Sequence, residues 1–145
     1  FSGMVGGQAM DMAGEQKALG LEQLRELHAL KTGALISAAL EAGGICAGAT
    51  VVQTASLRAF GEAIGLAFQV TDDILDVTQS SATLGKTAGK DITAAKSTYV
   101  ACLGLEGARK EADRLLTVAI NALTGFGESA EGLKTLALAI VHRRR

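Results

Sequence analysis

The feature that most constrains this sequence is a long apolar segment over residues 53–77, in a chain that contains no proline. Glycine is also absent from residue 66 until Gly85, so nothing interrupts a helix in the second half of the segment. Apolar residues cover most of the predicted helix, whereas a surface helix needs only a narrower apolar face. The segment therefore predicts a mostly buried central helix.

The polar residues of this helix share one stripe, which spans about 100° at the α-helical angle. They are Gln69, Asp72, Asp73 and Asp76. No Lys or Arg stands three or four residues from any of the carboxylates, so their like charges repel near the helix C-terminus. Mg²⁺, which binds carboxylate and phosphate oxygens, would reverse this repulsion. The alternatives are a solvated acidic face, or a separate short helix with Asp72 as its N-cap.

Composition places the chain among globular proteins. Of its 145 residues 48% are apolar and 20% charged, and the net charge of -1 argues against a general nucleic-acid binder. No segment alternates like a strand, so we predict an all-α fold. Cys46 and Cys102 have neither metal nor disulfide spacing, which predicts a reducing, cytoplasmic location. The most apolar stretch, residues 33–57, contains Glu41 and many small residues, so we predict no membrane span.

Two polar sites near the N-terminus each admit two interpretations. Gln8 and Asp11 follow several glycines, and a loop with two solvated side chains is favoured over a helix that presents both on one face. Lys31 lies in the apolar stripe of a predicted helix over 21–40, where it either snorkels to water or presents its ammonium to an anion. On an unbroken helix that stripe contains Leu24, Leu27, His28, Lys31 and Leu35. His28 is expected to be a core residue.

The second half of the chain contains a basic segment and several helices. Residues 79–91 have loop composition, and Lys86 and Lys90 would either be solvated or close over a phosphate beside the acidic stripe. The P-loop spacing is absent. Residues 94–104 are predicted to be helical, and residues 105–123 to form an amphipathic helix with a solvated charged face. Ser129 is the predicted cap of a last helix over 130–142. The arginines at 143–145 suit a helix C-terminus or an anionic ligand.

Taken together, these stretches resemble the trans-isoprenyl diphosphate synthases of the polyprenyl synthetase family, most closely the bacterial farnesyl and geranylgeranyl type. The matching segments, in family order, are 7–11, 27–33, 68–76, 84–91 and 96–99. Val100 departs from the family, which commonly has proline there. The family's first aspartate-rich motif has no counterpart in the sequence. The resemblance therefore implies that residues 1–145 are the C-terminal part of one class I terpenoid synthase helical bundle, and we do not expect this part alone to be active.

The resemblance implies Mg²⁺-dependent condensation of an allylic diphosphate, dimethylallyl or geranyl diphosphate, with isopentenyl diphosphate. The expected product is a short-chain isoprenyl diphosphate, farnesyl diphosphate in the first place, made by a homodimer. The implied metal ligands are Asp72, Asp73 and Asp76. The implied diphosphate contacts are Gln8, Asp11, Lys31, Lys86 and Lys96, with Lys90 a weaker candidate. The implied catalytic residues are Lys31, Thr32 and Gln69, of which Thr32 and Gln69 would direct oxygens toward the developing cation.

Two other functions are compatible with the same fold. The first is a non-catalytic subunit that regulates a partner synthase, which loss of the upstream aspartate-rich motif would favour. The second is a terpene synthase, against which the Lys86 segment, the Gly7-Gln8 motif and the Lys31-Thr32 pair argue, because these features suit chain elongation.

Overall fold

The fold is described by a computed structural model that covers residues 3–14, 19–83 and 97–143. Within these ranges the chain forms helices and connecting turns and no strand, which confirms the all-α prediction. The elements are α1 (Gly3–Gly14), α2 (Leu21–His28), a π-helical segment (Ala29–Gly33), α3 (Ala34–Cys46), α4 (Val51–Thr83), α5 (Tyr99–Ala122), a 3₁₀ segment (Thr124–Ala130) and α6 (Glu131–Val141).

Helix α4 is the centre of the fold, as its apolar pattern predicts. It contacts α2, the π-helical segment, α3, α5 and α6. A capping box starts it: the Thr50 hydroxyl accepts the Gln53 N–H at 3.3 Å, and Gln53 Oε1 accepts the Thr50 N–H at 2.9 Å. Its buried side chains form the core with those of α2, α5 and α6. The largest fully buried side chains are Leu24, Phe60, Val70, Tyr99 and Leu123.

Glycines allow α4 to approach its neighbours at backbone distance. A Cβ atom on Gly65 would lie 2.7 Å from the Cα atom of Gly33, which belongs to the π-helical segment. One turn earlier, a Cβ atom on Gly61 would lie 2.7 Å from the Cα atom of Ser37 in α3. Carbon atoms in protein interiors pack at about 3.5–4.0 Å, so any side chain at these glycines would push the helices apart. The glycines therefore set the spacing of α4 from the π-helical segment and α3.

The helix predicted over 21–40 is interrupted by the π-helical segment. A π turn holds about one residue more than an α turn, and this rotates the following residues by about 100° relative to the preceding ones. Leu24 and Leu27 are each 2% exposed, whereas Leu35 is 65% exposed. The predicted apolar stripe is therefore right before the π-helical segment and wrong after it.

The N-terminal stretch forms helix α1 and not the favoured loop. Gly6 and Gly7 are buried, and a Cβ atom on Gly7 would lie 2.3 Å from the backbone nitrogen of Lys31. Glycines weaken an isolated helix, but tertiary packing supplies most helix stability in proteins. Here the absence of side chains is what permits the packing, so the same glycines that disfavour the helix locally stabilise it in the fold.

Two other predicted boundaries also differ from the structure. Helix α4 continues to Thr83, because no glycine or proline stands before Gly85 to end it, so the first five residues of the predicted loop are helical. The helix predicted from residue 94 is first seen at Tyr99, where the Thr98 hydroxyl caps it by accepting the Ala101 N–H at 3.0 Å. Residues 84–96 lie outside the described part of the chain.

Ser129 does not cap the last helix. Its hydroxyl donates instead to the carbonyl of Phe126 at 2.6 Å, within the 3₁₀ segment. Helix α6 follows that segment directly, and Ala130 at its start has a helical backbone with φ -90° and ψ 0°. An N-cap side chain needs an extended backbone, so this junction leaves no position for one.

One described helical stretch, Leu21–Cys46, is long and apolar enough to cross a membrane by length and composition alone. Helices in protein cores meet the same criterion. Here the stretch contacts α4 through Gly33 and Ser37, and its Arg25 pairs with Glu111 of α5. These contacts belong to a helical bundle, and the absence of a membrane span stays a prediction.

Glu111 departs from the predicted solvated face of α5. It is 9% exposed, and its carboxylate accepts hydrogen bonds from Arg114 at 2.7 and 2.9 Å and from Arg25 at 3.0 Å. The hydrogen bonds from Arg114, opposed by burial and assisted by Arg25, lower the pKa of Glu111 below its ordinary value of 4.5. The carboxylate thus ties α2 to α5.

Replacing Glu111 by Gln should lower the free energy of unfolding of the full-length protein by about 1–2 kcal/mol at pH 7. Because the folded-state pKa is depressed, the ionised carboxylate stabilises the fold fully above pH 4.5 and progressively less as the pH falls through the folded pKa. Urea unfolding from pH 7 down to pH 3 should therefore show the difference shrinking. Glu106→Gln, which breaks an exposed pair with Arg109, is the control and should change stability by less than about 0.5 kcal/mol.

Gly65→Ala should destabilise the full-length protein by about 1–3 kcal/mol, because the new methyl group would collide with Gly33. Gly43→Ala is the matched control: a methyl group added to this helical glycine would meet no neighbouring atom within 4 Å, so the substitution should stabilise α3 by about 0.5–1 kcal/mol. Thermal or urea unfolding measures both. If both substitutions stabilised the protein, close packing at Gly65 would be disproved.

Candidate active site

The predicted polar stripe lies in the second half of α4, and its members have different surroundings. Asp72 keeps 42% of its side chain exposed, and the amide nitrogen of Gln69 lies 3.4 Å from its Oδ2 atom. Asp73 is half-buried and accepts a hydrogen bond from α5, whereas Asp76 is exposed. The three carboxylates of the stripe therefore differ in exposure and in hydrogen bonding.

Asp73 is held by the start of α5. Its Oδ2 atom accepts the backbone N–H of Tyr99 at 2.7 Å. The N-terminus of a helix presents unpaired N–H groups and a partial positive charge, both of which stabilise a carboxylate. The preceding residues are also engaged, since the Ser97 hydroxyl accepts the Leu19 N–H at 2.7 Å and Thr98 caps α5. The 97–99 stretch thus positions Asp73 and joins α4 to α5.

Asp72 has a cationic partner from the far end of the chain. Arg143, which follows α6, donates from Nη2 to Asp72 Oδ1. The same guanidinium lies over the ring of Phe68, with its central carbon 4.5 Å from the ring centroid. No Lys or Arg lies near Asp72 along α4, and Arg143, 71 positions away in the sequence, supplies the positive charge.

A second polar group joins α1 to the π-helical segment. The ammonium of Lys31 lies 2.5 Å from Asp11 Oδ2, and both side chains are about one-third exposed. Gln8, one turn earlier on α1, is exposed. Lys31 therefore does not merely snorkel to water: the structure supplies a carboxylate that fixes its ammonium. The π-helical geometry is relevant here, because such segments are common at functional sites.

The Lys31–Asp11 pair and the polar stripe of α4 lie near the same helix crossing. Gly33, which follows Thr32, touches Gly65 of α4 at backbone distance. Gln69 follows Gly65 by about 6 Å along the helix axis, and Asp72 by about 10 Å. Thr32 and Gln69, both half-buried, are thus placed within about one turn of the same crossing.

Two pockets lie beside these elements. One, of about 640 Å³, is lined mostly by small and apolar residues of α3, the turn after it, α4, the 3₁₀ segment and α6, and Asp72 is not among them. The other, of about 280 Å³, is lined by Arg143 together with Thr71, Ile74 and Leu75 of α4. Arg143, which pairs with Asp72, lines this second pocket. A cavity lined by Asp72, Asp73 and Asp76 stays a prediction.

The side chains that could bind the implied Mg²⁺ ion are acidic, His and Cys residues. Within residues 3–14, 19–83 and 97–143, no three acidic, His or Cys side chains converge on a common point. A site closed entirely by protein ligands is therefore absent from the described part of the chain. Mg²⁺ commonly needs only one or two carboxylates plus substrate phosphates. Asp72, whose side chain is 42% exposed, fits that open type of site.

Tyr99 and His28 form a stacked pair beneath the site, with ring centroids 5.8 Å apart and planes 21° apart. Tyr99 is fully buried, and burial raises the pKa of its hydroxyl to about 12. A group with that pKa stays protonated at neutral pH, so the Tyr99 hydroxyl does not ionise there and its ring packs in the core.

Several predicted site residues cannot be placed. Lys86, Lys90 and Lys96 lie outside the described residues. Two contacts of the site were not predicted, the hydrogen bond from the Tyr99 N–H to Asp73 and the pairing of Arg143 with Asp72. A backbone donor leaves no trace in a sequence. The run of arginines at 143–145 was the only sequence signal for the second contact, and it equally suits a helix end.

The chain was compared with known families and proteins. A model of the Polyprenyl synthetase family matches residues 1–134. The chain is 45% identical to the farnesyl diphosphate synthase of Escherichia coli (strain K12), matching 100% of this chain and 50% of that protein. It is 47% identical to the chloroplastic geranylgeranyl pyrophosphate synthase 9 of Arabidopsis thaliana, matching 98% of this chain and 41% of the relative. The chain thus spans about half the length of these relatives or less.

A solved structure agrees with these matches. The geranyltransferase from Helicobacter pylori, complexed with magnesium and isoprenyl diphosphate, superposes with a TM-score of 0.73 at 41% identity. The superposition covers 96% of this chain and 46% of that one. The family model, the sequence relatives and the solved structure each match nearly the whole chain. The chain therefore belongs to the polyprenyl synthetase family.

Proposed function

We propose that the full-length protein is a Mg²⁺-dependent prenyltransferase that joins an allylic diphosphate, dimethylallyl or geranyl diphosphate, to isopentenyl diphosphate. The proposed product is a short-chain isoprenyl diphosphate, farnesyl diphosphate in the first place. The observation that carries the proposal is the half-exposed carboxylate of Asp72 on the central helix, in a member of this family.

The difficult step of such a reaction is the separation of an allylic cation from the diphosphate anion. Bound Mg²⁺ would supply positive charge that stabilises the departing diphosphate. Asp72 would hold this ion. Asp73, tied to the Tyr99 N–H, and Asp76 would act through water. The ordering of Asp73 by α5 would keep this end of α4 fixed, so that the carboxylates need little rearrangement when substrate arrives.

The polar group at the π-helical segment would bind the other side of the diphosphate. Lys31 would contribute a positive charge, and Asp11 would hold its ammonium in place in the free protein. Gln8, Lys86 and Lys96 are further proposed contacts, and Lys90 is a weaker one. Thr32 and Gln69 would direct oxygen atoms toward the allylic cation. Apolar surroundings would exclude water, which would otherwise quench the cation.

We further propose a cytoplasmic homodimer. Cys46 and Cys102 are both unpaired and exposed, which supports a reducing compartment.

The deciding experiment is product analysis of the full-length protein with dimethylallyl diphosphate, isopentenyl diphosphate and Mg²⁺. A linear fifteen-carbon diphosphate would support the proposal, and a longer linear product would change only the assigned chain length. A cyclised hydrocarbon would instead indicate a terpene synthase. Lack of turnover, combined with stimulation of a partner synthase, would indicate a regulatory subunit.

Asp72→Ala should lower prenyl transfer roughly a hundredfold or more, because the diphosphate would lose its metal-borne charge stabilisation. The helical circular dichroism should not change. Glu62→Ala, which removes an exposed carboxylate from the same helix, is the control and should retain near-normal activity. Near-normal activity of Asp72→Ala would refute the metal role.

Lys31→Ala should raise KM for the allylic diphosphate or lower kcat by roughly tenfold to a hundredfold, the value of one charge-assisted hydrogen bond. Steady-state kinetics with each substrate varied in turn measures the effect. Lys110→Ala, which removes an exposed lysine of α5, is the matched control. Unchanged kinetics with both substrates would remove Lys31 from the site.

A further inference from the structure

The pairing of Asp72 with Arg143 brings two distant parts of the chain together. Arg143 follows α6, whose last residue, Val141, is 9% exposed. The guanidinium reaches across to α4, where the side chain of Arg143 is 29% exposed and that of Asp72 is 42% exposed. The pair is therefore partly shielded from water, yet Asp72 remains reachable from solvent.

Two contacts hold the guanidinium on α4. One is the hydrogen bond to Asp72, and the other is the ring of Phe68, at 4.5 Å from the guanidinium carbon. Phe68 and Asp72 are four residues apart, so their side chains lie on the same face of the helix. The ring attracts the cation through its π-electrons and also fixes its position. Arg143 thus has a site built by α4 alone.

This arrangement conflicts with a metal ion at the same carboxylate. Asp72 Oδ1 accepts from Arg143, and Oδ2 lies 3.4 Å from the Gln69 amide nitrogen. A divalent cation bound to Asp72 would lie near the guanidinium, and the two positive charges would repel each other. Metal and guanidinium would therefore compete for one carboxylate.

We propose that Arg143 is a tethered cation that occupies Asp72 in the metal-free protein and is displaced when a divalent metal ion binds. The inference rests on the proposed function, because it takes Asp72 as a metal ligand. The guanidinium relieves the repulsion between carboxylates on α4 in the metal-free state. It also weakens metal binding, since the metal must first break the pair with Asp72 and the contact with Phe68.

The test measures metal binding and not catalysis. Mn²⁺ binding to the full-length protein is followed by electron paramagnetic resonance of the free ion, with wild type and Arg143→Gln compared. Loss of one partly exposed ion pair and one cation–π contact should tighten the apparent Kd about threefold to tenfold. Arg143→Lys, which keeps the charge but loses the planar contact with Phe68, should fall between the two.

Two controls separate local competition from overall charge. Arg109→Gln removes a positive charge from the lining of the same 280 Å³ pocket, where Arg109 pairs with Glu106. This variant should change the Kd less than twofold. In an Asp72→Asn background, Arg143→Gln should no longer tighten binding, because the carboxylate for which the two cations compete is gone.

An unchanged or weaker affinity in Arg143→Gln, with circular dichroism unchanged, would overturn the inference. An equal gain in Arg109→Gln would do so as well. The proposed function fails separately if Asp72→Asn leaves Mn²⁺ binding unaltered both without and with inorganic pyrophosphate. If Asp72→Asn weakens Mn²⁺ binding while Arg143→Gln and Arg143→Lys match wild type, the metal assignment stands and the competition alone is refuted.

Discussion

The two polar groups of the candidate site lie on either side of one close approach between two backbones, where Gly33 crosses Gly65. No side chain separates the two elements there, so the π-helical segment lies directly against α4. Lys31 precedes the crossing by two residues, and Asp72 follows it by about two turns of α4. The geometry of both polar groups thus depends on two positions that carry no functional atoms.

Charge on α4 is balanced by tertiary contacts and not within the helix. The carboxylate of Asp73 is met by an N–H group of Tyr99 at the start of α5, and that of Asp72 by Arg143 beyond the end of α6. Each contact spans more than 20 residues. A helix that would suffer repulsion by itself is therefore stabilised by the elements that pack on it, and the same contacts give its carboxylates different roles.

The sequence was sufficient for those features that depend on local patterns. The all-α fold and the central helix follow from apolar periodicity, and the polar stripe follows from the spacing of Gln69 and the three carboxylates. Other features needed the fold. Glu111 looks like an ordinary surface residue along α5, and its pairing with Arg25 of α2 appears only in the fold. Leu35 belongs to the apolar stripe of a regular helix, and only the extra residue of the π-helical segment explains its exposure.

Glycine-rich α1 illustrates why local propensity was misleading. Taken alone, the residues around Gly6 and Gly7 favour a loop, because glycine loses much conformational freedom in a helix. In the fold, Gly7 lies against the backbone of Lys31, where no other residue fits. The pairing of Arg143 with Asp72 was inaccessible for a related reason, since it links positions that only the packing of α6 on α4 brings together.

The continuity of α2 and α3 through the π-helical segment has a consequence for the position of Lys31. Leu21–Cys46 forms one rod of 26 residues, about 39 Å long, with no hinge loop inside it. Lys31 lies near the middle of this rod, and Arg25 anchors one end to α5. The backbone at Lys31 is therefore held from two sides, by the pairing of Arg25 with α5 and by the close contact of Gly33 with α4.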